Sequence, residues 1–330
     1  MTAADESMAV PMGRTEEAST VAVAIRNRRP FGRWFRDLGW RHLVGIAAIL
    51  FAVFPVVWII SASVNPTGSL VGQKIWPDNP TLDNFRELLD QDFVKEGAAD
   101  AGSVGETSVP YTSWYRNTML VAGAAAIGQT FLSALAAYAF SRLRFVGRRI
   151  GLLAVLLVQM FPQLLAFTAI FILMTDMKDV FPAIGLGTTA GLILVYLGGA
   201  LGVNTWLMKG FFDTIPKDLD EAAKVDGASP NQIFFQIILP LAAPILAVIG
   251  LLSFIFTIND FVIASAVLGQ GDTESFTLAI GLQRFLGDAF AKRWGVFAAG
   301  SVLAAIPVVT IFLFLQRYIV SGLTQGGVKG

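Results

Sequence analysis

Polar residues with a readable spacing are concentrated in one stretch, Thr214 to Pro240, TIPKDLDEAAKVDGASPNQIFFQIILP. Its chemistry is that of charge and docking. Pro216 suits the first turn of a helix, and Asp218, Asp220 and Glu221 sit near the positive end of its dipole. Leu219, Ala222 and Ala223, at i, i+3 and i+4, form a narrow apolar face able to lie close against another surface. Gly227 ends this short helix as a left-handed cap. A second helix restarts with Ser229 as N-cap, Pro230 at the first helical position and Gln232 completing a capping box. Its apolar residues Phe234, Ile237 and Ile238 share one face, and Pro240 closes the unit.

Bond-making chemistry finds no support elsewhere in the chain. There is no GxxxxGK[ST] phosphate loop, no GxSxG elbow and no HExxH pair. The run Gly326-Gly327-Val328-Lys329-Gly330 is glycine-rich with a lysine, but it opens no helix beneath a phosphate. With no cysteine and one histidine, His42, the chain cannot build a thiolate or multi-histidine metal site. We expect no cofactor bound by this chain.

The elements that must position the Thr214–Pro240 stretch are apolar. The 330 residues are 55% hydrophobic and 15% charged, with a mean hydropathy of +0.64. Soluble proteins carry about 25% charged residues, so a membrane protein is expected, with lipid as a partner. Net charge is zero, which offers nothing to nucleic acid. Six uncharged stretches, Leu43–Ile60, Thr118–Phe140, Ile150–Met174, Thr189–Met208, Leu241–Ile258 and Val296–Leu315, are each long enough to cross a bilayer. The expected fold is all-α, a polytopic protein of six transmembrane helices over residues 41–330, preceded by a basic cytoplasmic tail, residues 1–40. In that tail Arg26, Arg28, Arg29, Arg33 and Arg36 alternate with Phe31, Trp34 and Phe35, as in an interfacial segment. The basic leader is too long for a signal peptide, so the first span is read as an uncleaved anchor.

Cation placement sets the orientation. With both termini cytoplasmic, 16 of the 24 Lys and Arg residues fall inside, four of them in the short loop 141–149. The loop 209–240 then faces the cytoplasm and the long loop 61–117 lies outside. That outer loop holds eight acidic and four basic residues and some helix around Leu82–Leu89, with no domain-sized apolar pattern. Within the spans, Gln129, Gln159, Gln163 and Asn204 either line a path or join helices. Pro162 and Pro307 should kink their spans or free a carbonyl. Gly198 and Gly202 make a GxxxG close-packing pattern, and Asn259-Asp260 fall near the outer boundary or in a wet cavity.

Glu221-Ala222-Ala223, three residues, Gly227, nine residues, Ile237, one residue, Leu239-Pro240 resembles at every named position the EAA loop of permease subunits in binding-protein-dependent ABC importers. Further runs, YAFSRLRFVG at 138–147, QMFP at 159–162, YLGGALGVNTWLMKGFFDTIP at 196–216, SFTLAIGLQ at 275–283 and QRYIVSGLTQGGVKG at 316–330, resemble the maltose/maltodextrin branch of that family. The resemblance spans nearly the whole membrane region; the N-terminal extension and the long outer loop depart from it.

The resemblance implies a type I importer permease fold in a bacterial inner or plasma membrane. It implies a second, non-identical permease subunit, two ATP-binding subunits that carry ATP and Mg, and an extracytoplasmic sugar-binding protein. Glu221, Ala222, Ala223, Gly227, Ile237, Leu239 and Pro240 would dock the ATP-binding subunit, and Gly326, Gly327 and Lys329 of the tail would reach it as well. Gly287, Asp288, Ala289 and Phe290, in a loop whose two Phe, Gly-Asp turn and three cations exceed a connector's needs, would enter the binding protein's cleft and help release sugar. Import of maltose/maltodextrin-like oligosaccharides is the expected function, with trehalose or another sugar as the alternative. A self-sufficient secondary carrier, from a different class, would need inverted repeats and intramembrane ionisable residues that the sequence does not suggest.

Overall fold

The protein is described here from a computed structural model covering residues 35–66, 74–90, 110–161, 163–286 and 293–326, excepting the side chains of 36, 37, 163, 164 and 319–326. Pro162, the loop residues Gly287, Asp288, Ala289 and Phe290, and the tail residues Gly327 and Lys329 lie outside the described residues, as does the side-chain environment of Gly326. The chain divides into two units, residues 1–56 and 57–330. A π-helical turn Phe35–Gly39 leads into α1 (Trp40–Ser63), in which the first unit ends and the second begins; its mean hydropathy is 2.8 over a membrane-length window.

In the second unit every described element is helical, in line with the requirement that backbone polar groups in lipid be satisfied within their own segment. In chain order these are α2 (Asp83–Leu89), α3 (Tyr111–Arg142), α4 (Arg148–Gln159), α5 (Gln163–Val180), α6 (Thr189–Ala200, its last turn 3-10), α7 (Val203–Thr214), α8 (Asp218–Val225), α9 (Pro230–Leu241), α10 (Ala243–Asn259), α11 (Val262–Leu268), α12 (Leu278–Gln283) and α13 (Trp294–Gly326). The helix expected around Leu82–Leu89 is α2.

The 32-residue α3 is the axis of the packing. Trp114, Thr118, Val121, Ala125, Gln129 and Ser133 recur every three or four residues along its buried face, and Ala134, Ala137 and Ser141 continue the row. The alanines Ala122, Ala125, Ala134 and Ala137 have no exposed surface, so neighbouring helices approach α3 at backbone distance. Three apolar clusters follow from this. One surrounds Tyr111 and Trp114 with Leu268, Leu278, Phe285 and Val296. A middle one joins Ala122 and Ala126 to Phe254 and Ile258 of α10. The third, at the Arg142 end, brings Met208 and Phe212 of α7 against Ala223, Phe234 and Ile238.

The span count departs from expectation. By length and composition three helices can cross a membrane, α1, α3 and α13, or up to five if the bent pairs α6 with α7 (47°) and α9 with α10 (77°) each count once. The expected third span, Ile150–Met174, is divided between α4, which ends at Gln159, and α5, which begins at Gln163. Neither half qualifies alone. At about 1.5 Å per residue α4 is too short, and α5 ends on Asp176, Lys178 and Asp179. Pro307, in contrast, sits inside the continuous α13.

The GxxxG reading of Gly198 and Gly202 is also revised. These glycines occupy the break between α6 and α7, and nothing stands within 4 Å of a Cβ at Gly198. Only Gly202 is a close approach: a Cβ there would meet Gln159 Nε2 at 2.2 Å. The carbonyls that the break releases are recovered by α3. Gln129 Nε2 donates to Tyr196 O at 2.8 Å and Ser133 Oγ to Ala200 O at 2.6 Å.

At the other end of α3, Trp114 Nε1 donates to Thr273 O at 2.7 Å and its indole lies flat against Gly281. A Cβ at Gly281 would fall 2.2 Å from Trp114 Cε3. Gly281→Ala should therefore displace the indole and destabilise by about 1–3 kcal/mol. A lower melting temperature of the detergent-solubilised protein checks this; an unchanged one would show that the indole has room to move.

Candidate functional site

The Thr214–Pro240 stretch folds as a helix, a tight turn and a second helix at the Arg142 end of α3. Lys217 is the N-cap position of α8, so Pro216 precedes the first turn and does not occupy it. α8 ends in a Schellman arrangement, with Ala228 N donating to Ala223 O at 2.9 Å, Gly227 N donating to Lys224 O at 3.1 Å, and Gly227 at φ +82°. The expected capping box is present: Ser229 Oγ accepts from Gln232 N at 3.3 Å and Gln232 Oε1 accepts from Ser229 N at 2.8 Å. After Gln232 the chain widens into a π-helical turn, Ile233–Ile238, before Leu239–Leu241 bends into α10.

The expected docking residues fall on different surfaces. Glu221, Ala222, Gly227 and Pro240 are exposed. The Glu221 side chain has no hydrogen bond or ion pair among the described residues. Ala223 is buried, and Ile237 and Leu239 are half-buried against the cluster around Phe212 and Phe234. The Leu219/Ala222/Ala223 face is thereby corrected. Leu219 and Ala222 point outward, whereas Ala223 turns inward together with Asp220, toward the turn Ile233–Ile238 and Arg142 at the end of α3.

Asp220 is part of a polar network that the sequence did not reveal. Its Oδ2 lies 2.6 Å from Arg142 Nε, with the two side chains 8% and 5% exposed, although the pair lacks hydrogen-bond alignment and Asp220 Oδ1 has no partner. Arg142 Nη2 donates to Ile215 O at 2.9 Å and Nη1 to Ser141 Oγ at 3.1 Å. Ser141 Oγ in turn donates to Asp213 Oδ1 at 2.6 Å, and Lys209 Nζ pairs with Asp213 Oδ2 at 2.5 Å. In the sequence Arg142 counts only as an inside cation and Asp220 only as a dipole charge. Their separation of 78 positions in sequence carries no periodic signal that could pair them.

A second feature is a cavity of about 1130 Å3 lined by Gln129, Gln159, Tyr196, Asn204, Ser253 and Phe256 among others. It gathers three of the four polar span residues singled out in the sequence; the side chain of Gln163 is outside the described set. Two of the three also join helices, Gln129 to Tyr196 O and Asn204 Nδ2 to Ser253 Oγ at 3.3 Å. Asp260 is structural: Oδ1 caps Val262 N and Ile263 N at 3.0 and 3.3 Å, and Oδ2 accepts from Tyr196 Oη at 2.8 Å.

The flanks of loop 287–292 are held. Arg293 N donates to Phe285 O at 3.0 Å, its guanidinium lies 5.2 Å over the Phe285 ring, and it is ion-paired with Glu87 of α2. Burial draws the Arg293 guanidinium below its ordinary pKa.

Residues 129–325 match the family described as binding-protein-dependent transport system inner membrane component. Over 298 residues the chain is 41% identical to the galactooligosaccharides transport system permease protein GanQ of Bacillus subtilis, covering 90% of this chain and 97% of that one. It is 41% identical over 291 residues to the maltose/maltodextrin transport system permease protein MalG of Vibrio parahaemolyticus and 40% over 289 residues to MalG of Escherichia coli, covering 88% of this chain and 95% of each relative. Its fold matches, at a TM-score of 0.69 and 23% identity, a chain in the crystal structure of a bacterial ABC transporter involved in the import of the acidic polysaccharide alginate, covering 88% of this chain and 99% of that one.

Removing the cap in Ser229→Ala should cost about 1 kcal/mol of local stability. Faster limited proteolysis within residues 226–232, with the rest of the digestion pattern kept, is the expected result. Taken together, the fold, the helix-turn-helix and these similarities establish that the chain belongs to the binding-protein-dependent transport system inner membrane components, as a permease of the ABC importers.

Proposed function

We propose that this chain is one of two non-identical permease subunits of an ATP-driven importer for maltose/maltodextrin-like oligosaccharides. The importer further comprises two ATP-binding subunits, which carry ATP and Mg, and an extracytoplasmic sugar-binding protein. The chain itself binds no cofactor. It crosses the bacterial inner membrane six times with both termini cytoplasmic, α4 and α5 together making the third crossing. The MalG relatives support the sugar class. Equal identity to GanQ supports a second reading, galactooligosaccharides, over the same architecture.

One observation carries the proposal: an exposed Glu221 side chain, unpaired among the described residues, beside exposed Ala222 on a short helix whose opposite side is buried against the turn Ile233–Ile238 and Arg142 of α3. Such a helix offers a partner a carboxylate and a flat surface while being backed by the membrane helices. ATP binding would draw the motor subunits together, and the docked α8 would carry that movement into the spans as a rigid-body change. Gly326, Gly327 and Lys329 would add contacts to the same subunit. Gly287, Asp288, Ala289 and Phe290 would enter the binding protein and displace sugar, from a base held by the Phe285, Arg293 and Glu87 contacts.

Two experiments follow. Glu221→Lys should abolish import while the chain still inserts, because reversal sets like charges against the motor. Normal import with normal ATP consumption would remove the docking role. Shortening residues 287–291 should leave assembly and basal ATP hydrolysis intact but reduce import at limiting sugar. Unchanged import would reduce this loop to a connector.

A further inference from the structure

α8 has eight residues, too few to be stable alone, so its orientation is set by what holds its inner side. The apolar part of that hold is small, a single buried alanine, Ala223. The rest is Arg142. Its guanidinium, on the last turn of α3, reaches Asp220 within α8, the Ile215 carbonyl just before it and Ser141 on its own helix. Through Ser141 the contact continues to Asp213 and Lys209 at the end of α7. One side chain thus ties together the end of α3, the end of α7 and the first turn of α8.

Burying such a pair is a poor way to gain stability, because desolvation offsets most of the attraction and Asp220 Oδ1 is left without a partner. What the pair provides is a fixed geometry. The guanidinium meets Asp220 inside α8 and the Ile215 carbonyl just before it, so a shift of α8 on α3 would disturb the ion pair and the Ile215 bond together. The outward residues Glu221 and Ala222 stand on the turn that contains Asp220.

We propose that Arg142 and Asp220 are positioning residues that join α8 rigidly to α3, so that a displacement imposed on α8 reaches the membrane helices. The inference rests on the docking role proposed above for α8. It assigns to these two residues the transmission of movement and not the binding of the motor, since both side chains are buried away from the outer surface of α8.

The test uses the complete transporter in proteoliposomes and the double variant Arg142→Gln/Asp220→Asn. This removes both charges together, keeps both side chains polar and leaves neither partner as a lone buried charge. Co-purification of the ATP-binding subunits and the ATPase rate should stay at the parental level, while sugar imported per ATP hydrolysed falls about fivefold or more. A companion variant, Arg142→Cys/Asp220→Cys, exploits the absence of native cysteine. Joining the two thiols with a short bifunctional reagent should restore the import-to-hydrolysis ratio that the unlinked form lacks. A double variant that imports at the parental ratio would overturn the proposal, as would a cross-link that restores nothing. Loss of ATP-binding subunits from the variants alone would reassign the pair to assembly. Their failure to bind the parent chain would defeat the docking reading instead.

Discussion

Close approach to the small-residue face of α3 is the interaction on which the rest of the described structure depends. In a bilayer apolar side chains gain no more from one another than from lipid, so helices associate through backbone proximity and a few polar bonds. Ala122, Ala125, Ala134 and Ala137 provide the proximity, and Gln129 and Ser133 provide the bonds. Both bonds end on carbonyls of the broken α6, so the same row of α3 that allows packing also makes the break at Gly198–Gly202 tolerable. A bulky residue at one of these fully buried alanines would push the helix packed against it away from α3.

The two ends of α3 put this rigidity to different uses. At one, Tyr111 and Trp114 fasten the helix to the region that carries Thr273, Gly281 and Phe285. At the other, Arg142 meets the helix-turn-helix. Between them stands the cavity, with polar groups contributed by α3, α4, α7 and α10. One rigid element therefore borders the proposed binding-protein side, the proposed passage and the proposed motor side, and a coupled transporter needs that continuity.

Much of this was legible in the sequence where the signal is local. The capping box at Ser229 and Gln232, the left-handed Gly227 and the short helix after Leu82 follow from residues within five positions of one another. Long apolar runs identified α1, α3 and α13 directly. What failed was what depends on distant partners. Hydropathy cannot tell a lipid-facing residue from a protein-facing one, so it missed that Asp220 and Ala223 turn inward while Ala222 does not. It also gave no sign that Ile150–Met174 is divided into two helices, α4 and α5, because a helix end changes no residue's polarity. Gly198 and Gly202 had the spacing of a packing motif, yet spacing has that meaning only on a continuous helix.

The central claim is that this chain transports nothing alone and acts as one half of a passage driven by other subunits. Sugar uptake measured in proteoliposomes tests it most directly, with the chain alone compared against the chain assembled with a second permease, ATP-binding subunits and a loaded binding protein. The account predicts no uptake by the chain alone under a proton or sodium gradient, and uptake by the assembly that requires both ATP and the binding protein. Gradient-driven uptake by the chain alone would contradict it.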